Sequence, residues 1–443
     1  MKKSENNELK RELGLLAATS IVVGNMIGSG VFTAPQSLAS VSNPFATIVA
    51  WLITGIGSVL LALSFANLGT KYPTSGGPIV YTKKAFGEFT SFLVAWTFWI
   101  GSWIGNAAII TAIIRYLTTF FPTLSSNGSL SFLISSLILW IFIYINLKGV
   151  KEAGFVGIIT TGLKLVAILV FLLIALYGFD FNNLKTFSSE EVKGLGSIPS
   201  AIAVTLWSFV GLESATVSGG EIKNPKVNIR KSTIFGTIIA SLIYILISFL
   251  AMGGLSQSEL ANSAAPMADI INKITGATWG GVFISLGIII SAAGATSGWI
   301  LTTARISFAA GEDDIFPNFF AKLHPKYKTP VTSLVISGVC TNLLLILNYV
   351  FNLTTAFDFM INLATLSFIP AYALSTCAEI ILTRKACEKL SPIKFIKHSL
   401  FSLLAFAYSI YIIYGSGSVS AMWVFILMLI GIPFYTYKKF QNT

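Results

Sequence analysis

The chain has 443 residues, 54% of them hydrophobic and only 11% charged, with a mean hydropathy of +0.78; soluble domains carry about 25% charged residues, so water is excluded as the main solvent. The formal net charge of +11 does not point to nucleic acid, because the basic residues stand in short clusters between apolar runs and form no continuous stripe. Cys340, Cys377 and Cys387 show neither the pairing of a disulfide framework nor the His/Cys spacing of a metal site.

Residues 1–12 form a polar tail with Lys2, Lys3, Lys10 and Arg11 and lack the apolar core and cleavage site of a removable signal peptide. Twelve apolar runs then follow, each of a length that crosses a bilayer as one helix of about 20 residues. They lie near 13–37, 44–69, 88–119, 129–147, 154–178 and 196–217, then near 232–255, 280–309, 331–351, 356–381, 397–415 and 420–437. If the N-terminus is cytoplasmic, the cytoplasmic side, counted as the tails, the even-numbered connections and the run ends beside them, holds 24 of the 29 basic residues. That is the excess expected of cytoplasmic loops. It predicts a multi-pass protein of the cell (inner) membrane with both termini cytoplasmic, residues 438–443 being the second tail.

Within the first run, Gly24-Asn25-Met26-Ile27-Gly28-Ser29-Gly30 places three glycines and two small polar residues at membrane depth. Each glycine weakens a helix by about 1 kcal/mol relative to alanine. Hydrocarbon cannot satisfy the backbone this frees, so such a stretch is tolerated where it lines a cavity. A half-helix starting after the break would aim free N–H groups and a positive dipole end at an anion such as a carboxylate. The alternative is that the small residues only let helices pack closely.

The fifth run carries Lys164 within Gly162-Leu163-Lys164-Leu165-Val166, far from either end. A buried ammonium can stand where a sodium ion would otherwise stabilise the same carbonyls, or it can exchange a proton; otherwise it is paired structurally with carbonyls. Sodium coupling is therefore not expected. The sixth run contains Trp207-Ser208-Phe209-Val210-Gly211-Leu212-Glu213-Ser214, with Gly219-Gly220 beyond. Interruptions in the first and sixth spans are what an inverted repeat of five plus five helices predicts, with the ligand held at the midplane between the repeats. Glu213 would cost a few kcal/mol at membrane depth unless paired, hydrated or protonated, which makes it a candidate proton or ligand switch. Phe98, Trp99, Trp103, Trp207 and Trp299 could form walls and gates around a substrate, and Trp207 could stack on a cation; tryptophans also anchor at interfaces. No phosphate-binding loop, metal spacing or nucleophile elbow is present, so ATP-driven transport, hydrolysis and a need for a cofactor are disfavoured.

The segments GNMIGSGVF at 24–32, YPTSGGPIVYTKKAFG at 72–87, WIGN at 103–106, LWSFVGLESATVSGGEIKNPK at 206–226, GW at 298–299 and EDDIFPNFF at 312–320 resemble the amino acid, polyamine and organocation superfamily. Within it they resemble the bacterial basic amino acid/polyamine antiporter group. The resemblance implies an all-α membrane protein with a five-plus-five inverted-repeat (LeuT-like) core and two further C-terminal helices, often a homodimer, working by alternating access. The first repeat would span 13–180, the second 195–385 and the last helix pair 397–437. Asn25, Gly28, Ser29 and Gly30 would meet the substrate carboxylate and amino group. Trp207 would gate and stack, Val210 line the pocket, Asn106 contact the distal end of a long substrate and Trp299 form a wall. Glu213 would couple gating to pH. The departures are Lys164, which resembles the lysine of sodium-independent carriers in the wider superfamily, Phe98, where the antiporter group carries a tyrosine, and the tenth span around 362–367, which does not match that group. The expectation is a sodium-independent amino acid/amine antiporter exchanging its substrate alone or running with protons. A proton-coupled carrier of neutral amino acids is the second reading, and a channel or membrane receptor, separable by bilayer recording, the third.

Overall fold

The computed structural model describes residues 9–28, 30–185, 195–263, 265–351, 363–386 and 392–442. Among them the chain is helical almost throughout, as hydrocarbon requires, because an α-helix pairs its own backbone groups. Prolines at the first helical position and asparagine caps mark several starts. Asn43 caps Pro44–Lys71 by accepting from Ala46 N at 2.8 Å, and Asn127 caps Gly128–Lys148 by accepting from Leu130 N at 3.0 Å.

The long helices are α1 (Leu15–Met26), α2 (Gly30–Val41), α3 (Pro44–Lys71), α4 (Glu88–Leu117), α5 (Gly128–Lys148) and α6 (Val150–Tyr177). After them come α7 (Ile198–Leu206), the short α8 (Ser214–Val217), α9 (Pro225–Gly254) and α10 (Trp279–Glu312). The last four are α11 (Val331–Tyr349), α12 (Ile369–Ala386), α13 (Pro392–Gly415) and α14 (Ser418–Asn442). Among the described residues eleven spans are long and apolar enough to cross a membrane, and Ser399–Gly415 adds a shorter apolar helix. The first span is α1 plus α2 and the sixth is α7 through α8. Every predicted run thus contains a helix, although 356–362 of the tenth run lies outside the described residues, and α13 begins five residues before the expected 397.

The helices are sorted inside out. On α5 the large side chains Leu133, Leu137, Ile141 and Tyr144 are exposed, whereas Ser131, Ser135 and Asn146 are buried. Lipid is as apolar as leucine, so small and polar residues gain by facing neighbouring helices. The broken first span packs against α9, α6 and α10, while α3 runs along α9 and α10 along α4. These contacts place both breaks inside the bundle.

One end of the broken spans is closed by main-chain pairing. Glu12 N and Leu13 N donate to Glu221 O, and Lys223 N donates to Leu13 O. Arg11 ties this seam to the loop after α3 by donating to Gly219 O, Ile222 O and Pro73 O. Below it Arg305, fully buried on α10, forms a two-point pair with Glu221 at 2.8 Å, the fork geometry that a planar guanidinium offers a carboxylate.

Candidate functional site

The break in the first span lies where the glycines predict it. α1 ends at Met26, Ile27 leaves helical geometry with ψ 75, and α2 starts at Gly30. The last carbonyls of a helix have no partner within it; here Val23 O and Met26 O accept from Ile27 N and Gly28 N, and the others are met by side chains from other elements. Lys164 Nζ, on fully buried Lys164 of α6, donates to Gly24 O at 3.1 Å and Ile27 O at 2.6 Å. Trp299 Nε1 donates to Asn25 O at 3.1 Å. Ser291 Oγ lies 3.0 Å from Ile27 O and 3.2 Å from Gly28 O. The α1 end is therefore a cluster of oriented carbonyls with the Lys164 amine beside it.

The sixth span breaks beside it. α7 ends at Leu206, a tight turn follows over Trp207–Phe209, Val210 is extended and Gly211 sits at φ +115. Gly211 is required twice over. Its φ lies in the region side chains avoid, and a Cβ there would stand 3.0 Å from Asn25 Cβ and 3.2 Å from Met26 N. The two breaks thus touch backbone to backbone. Tyr244 of α9 donates to the freed Ser208 O at 2.7 Å, and Tyr244, Phe209 and Trp51 pack together behind the turn.

Trp207 leans across the pair of breaks. A Cβ on Gly30 would lie 3.1 Å from its Cδ1, and one on Gly105 of α4 would lie 3.6 Å from its Cη2. Beyond the half-buried indole is a cavity of about 340 Å3 lined by Ala203, Val204, Trp207, Thr365, Leu366, Ser416 and Ser420. A larger crater of about 950 Å3, lined by residues of 111–129 and 348–350, contains none of the expected site residues.

Glu213 caps the far side of the second break. It is fully buried, and its Oε2 accepts from Tyr372 Oη at 2.8 Å and from Gly211 N at 3.2 Å. Among the described residues no cation pairs with it and its Oε1 has no partner. Asn25 Nδ2 donates to Ser214 Oγ at 2.8 Å and Thr302 Oγ1 at 3.1 Å. Asn106 Nδ2 donates to Thr303 Oγ1 at 3.2 Å.

The structure therefore brings Asn25, Gly28, Gly30, Lys164, Trp207, Val210, Glu213 and Trp299 to the paired breaks, with Asn106 on the adjoining turn of α4. Ser29 lies outside the described residues. Phe98 is buried one layer away, edge-on to Phe368 at 4.9 Å, and Phe368 in turn meets Trp299 at 5.4 Å. Trp99 and Trp103 belong elsewhere. Trp99 packs on Trp103, Phe316 and Phe320 and donates to Ser337.

Sequence reasoning missed Ser291, Thr302, Thr303, Phe368 and Tyr372. Gly298 had a clearer signal beside Trp299: a Cβ there would collide with Asn25 Oδ1, so its absence makes room for the asparagine.

Two membrane helices break against each other inside the bundle, with carbonyls of the first met by Lys164 and Trp207 lying beside both, and the fold defines a multi-pass membrane protein. The amino acid permease profile matches residues 13–440, and the chain belongs to that family; it is a transporter and not an enzyme. It is 33% identical over 434 residues to the arginine/agmatine antiporter of Chlamydia trachomatis serovar L2, covering 96% of this chain and 89% of that one. Against the arginine/agmatine antiporters of Chlamydia abortus and Chlamydia pneumoniae the identity is 31%, covering 98% and 96% of this chain and 91% and 90% of theirs.

Proposed function

We propose that this chain is a sodium-independent exchanger of amino acids and amines, of the basic amino acid or polyamine type, working by alternating access in the cell inner membrane. Lys164 carries the argument. Its Nζ donates to Gly24 O and Ile27 O, so the carbonyls that could draw a sodium ion into the break already have a donor beside them. The relatives named arginine/agmatine antiporter, aligned over almost the whole chain, support exchange and a basic substrate.

In this reading the substrate carboxylate lies at the start of α2, near Gly28, Ser29 and Gly30, where the helix dipole favours an anion. The α-amino group meets the carbonyl side near Asn25. Trp207 stacks on the cationic end and gates it, Val210 and Trp299 line the pocket, and Asn106 reaches the distal end. Phe98 supports the Trp299 wall through Phe368. Residues 13–180 and 195–385 act as the two inverted repeats, followed by the 397–437 pair, in a homodimer with both termini cytoplasmic.

A second reading, proton-coupled carriage of neutral amino acids, is favoured by the buried carboxyl of Glu213, which has hydrogen bonds but no ion-pair partner among the described residues. Counterflow separates the two. Proteoliposomes in sodium-free buffer are offered labelled arginine, ornithine, alanine or serine, with and without unlabelled substrate inside. Exchange predicts uptake of the basic substrates that depends on the internal load. Uptake that ignores the load and follows an imposed pH gradient rejects it.

A further inference from the structure

Thr302 and Thr303 stand side by side on α10, both fully buried. A threonine hydroxyl has one proton to give. Thr303 Oγ1 donates it to Trp299 O, four residues back on its own helix, at 2.6 Å. Thr302 Oγ1 donates its own to Gly298 O at 3.0 Å. Toward any other neighbour each oxygen can only accept. Those neighbours are the two buried asparagines of the site: Asn106 Nδ2 lies 3.2 Å from Thr303 Oγ1 and Asn25 Nδ2 lies 3.1 Å from Thr302 Oγ1. An amide turned the other way would set its oxygen against a hydroxyl with no proton left. Each threonine therefore decides which end of an amide it holds. In both asparagines the other end, Oδ1, is buried and has no partner among the described residues.

We propose that Thr303 is a positioning residue that fixes the amide of Asn106 with its oxygen presented to the substrate, so that the site selects distal groups that donate hydrogen bonds and accept none. The inference rests on the exchanger reading, in which Asn106 meets the distal end of a long substrate, and it narrows the substrate class. An ammonium or guanidinium is donor-only. A carboxylate end brings an oxygen against an oxygen that cannot turn away, and a ureido or carboxamide end meets it with a donor only when its nitrogen, and not its oxygen, faces Asn106. Leaving such a buried acceptor unmatched weakens binding on the order of tenfold or more.

The test is competition in sodium-free counterflow, using arginine and citrulline, which is arginine with one guanidinium nitrogen replaced by a carbonyl oxygen. The wild type should favour arginine. Thr303→Val keeps the side-chain shape but removes the acceptor and frees the Asn106 amide to turn over. Its arginine-to-citrulline preference should fall by about tenfold, through KM more than kcat, and Thr303→Ser should retain the wild-type preference. Thr303→Ala reads the same ratio if the valine variant does not yield folded protein. An unchanged ratio in the valine or alanine variant, or a wild type that takes both substrates equally, overturns the proposal. Asn106→Leu separates the two levels. If it exchanges arginine like the wild type, the site placement fails with the inference. If it loses arginine while the threonine variants keep their ratio, only the inference fails.

Discussion

Lys164 and Glu213 are the side chains on which the two breaks depend, for opposite reasons. Lys164 supplies donors to carbonyls that lipid could not satisfy. Lys164→Met strands Gly24 O, at about 1–3 kcal/mol for a buried unpaired group, and leaves Ile27 O to Ser291 alone. The purified variant is expected to melt at a lower temperature than the wild type and to exchange little; an unchanged melting curve would mean that other groups satisfy those carbonyls. Glu213 is the acid among the expected site residues, bound to Tyr372 across to α12. Glu213→Gln keeps the shape and removes the ionisation, so its pH–rate profile should flatten where the wild type's is sloped. An unaltered slope would assign the pH dependence to another group. Both residues were legible in the sequence because a charge inside an apolar run stands out. Thr302, Thr303, Ser291 and Tyr372 were not. Hydroxyl residues are common in such helices, and what distinguishes these four is a partner far away in the chain, such as Ser291 meeting Ile27 and Gly28 across more than 260 positions.

At the scale of elements, the two breaks were readable because glycine and small polar residues interrupt otherwise continuous apolar runs, and the structure puts the interruptions at Ile27 and at Val210–Gly211. Their mutual contact was not readable, since it depends on Gly211 approaching Asn25 and Met26. Gly211→Val meets both a forbidden φ and a clash with that backbone. It is expected to push the breaks apart and to reduce the yield of monodisperse protein sharply; wild-type yield and exchange would place the contact elsewhere. The closed end is a separate element. Arg305→Met leaves Glu221 buried without its cation, a loss of about 3–5 kcal/mol. Hydrogen exchange at the amides of Leu13 and Lys223, which pair across that seam, should accelerate. Unchanged protection would show that the main-chain pairing holds by itself. The tenth span was the least legible. Its first described residues pass Gly101, whose missing Cβ lets Ala364 O and Ser367 Cβ come close, and hydropathy alone carries no trace of such a contact.

For the molecule as a whole, twelve apolar runs with basic residues gathered in alternate connections were enough to establish a membrane bundle, because bilayer thickness and backbone satisfaction leave few other solutions. Membership of the amino acid permease family follows from a match over residues 13–440. Between that architecture and a working exchanger stands one claim, that substrate sits where the two broken spans meet under Trp207. Saturable binding of labelled arginine or agmatine to purified protein in sodium-free buffer tests it most directly, with the wild type compared against Trp207→Ala and Gly28→Leu, each first shown to be monodisperse. The account predicts saturable binding by the wild type that is lost in both variants. Binding at wild-type affinity in either variant would contradict it.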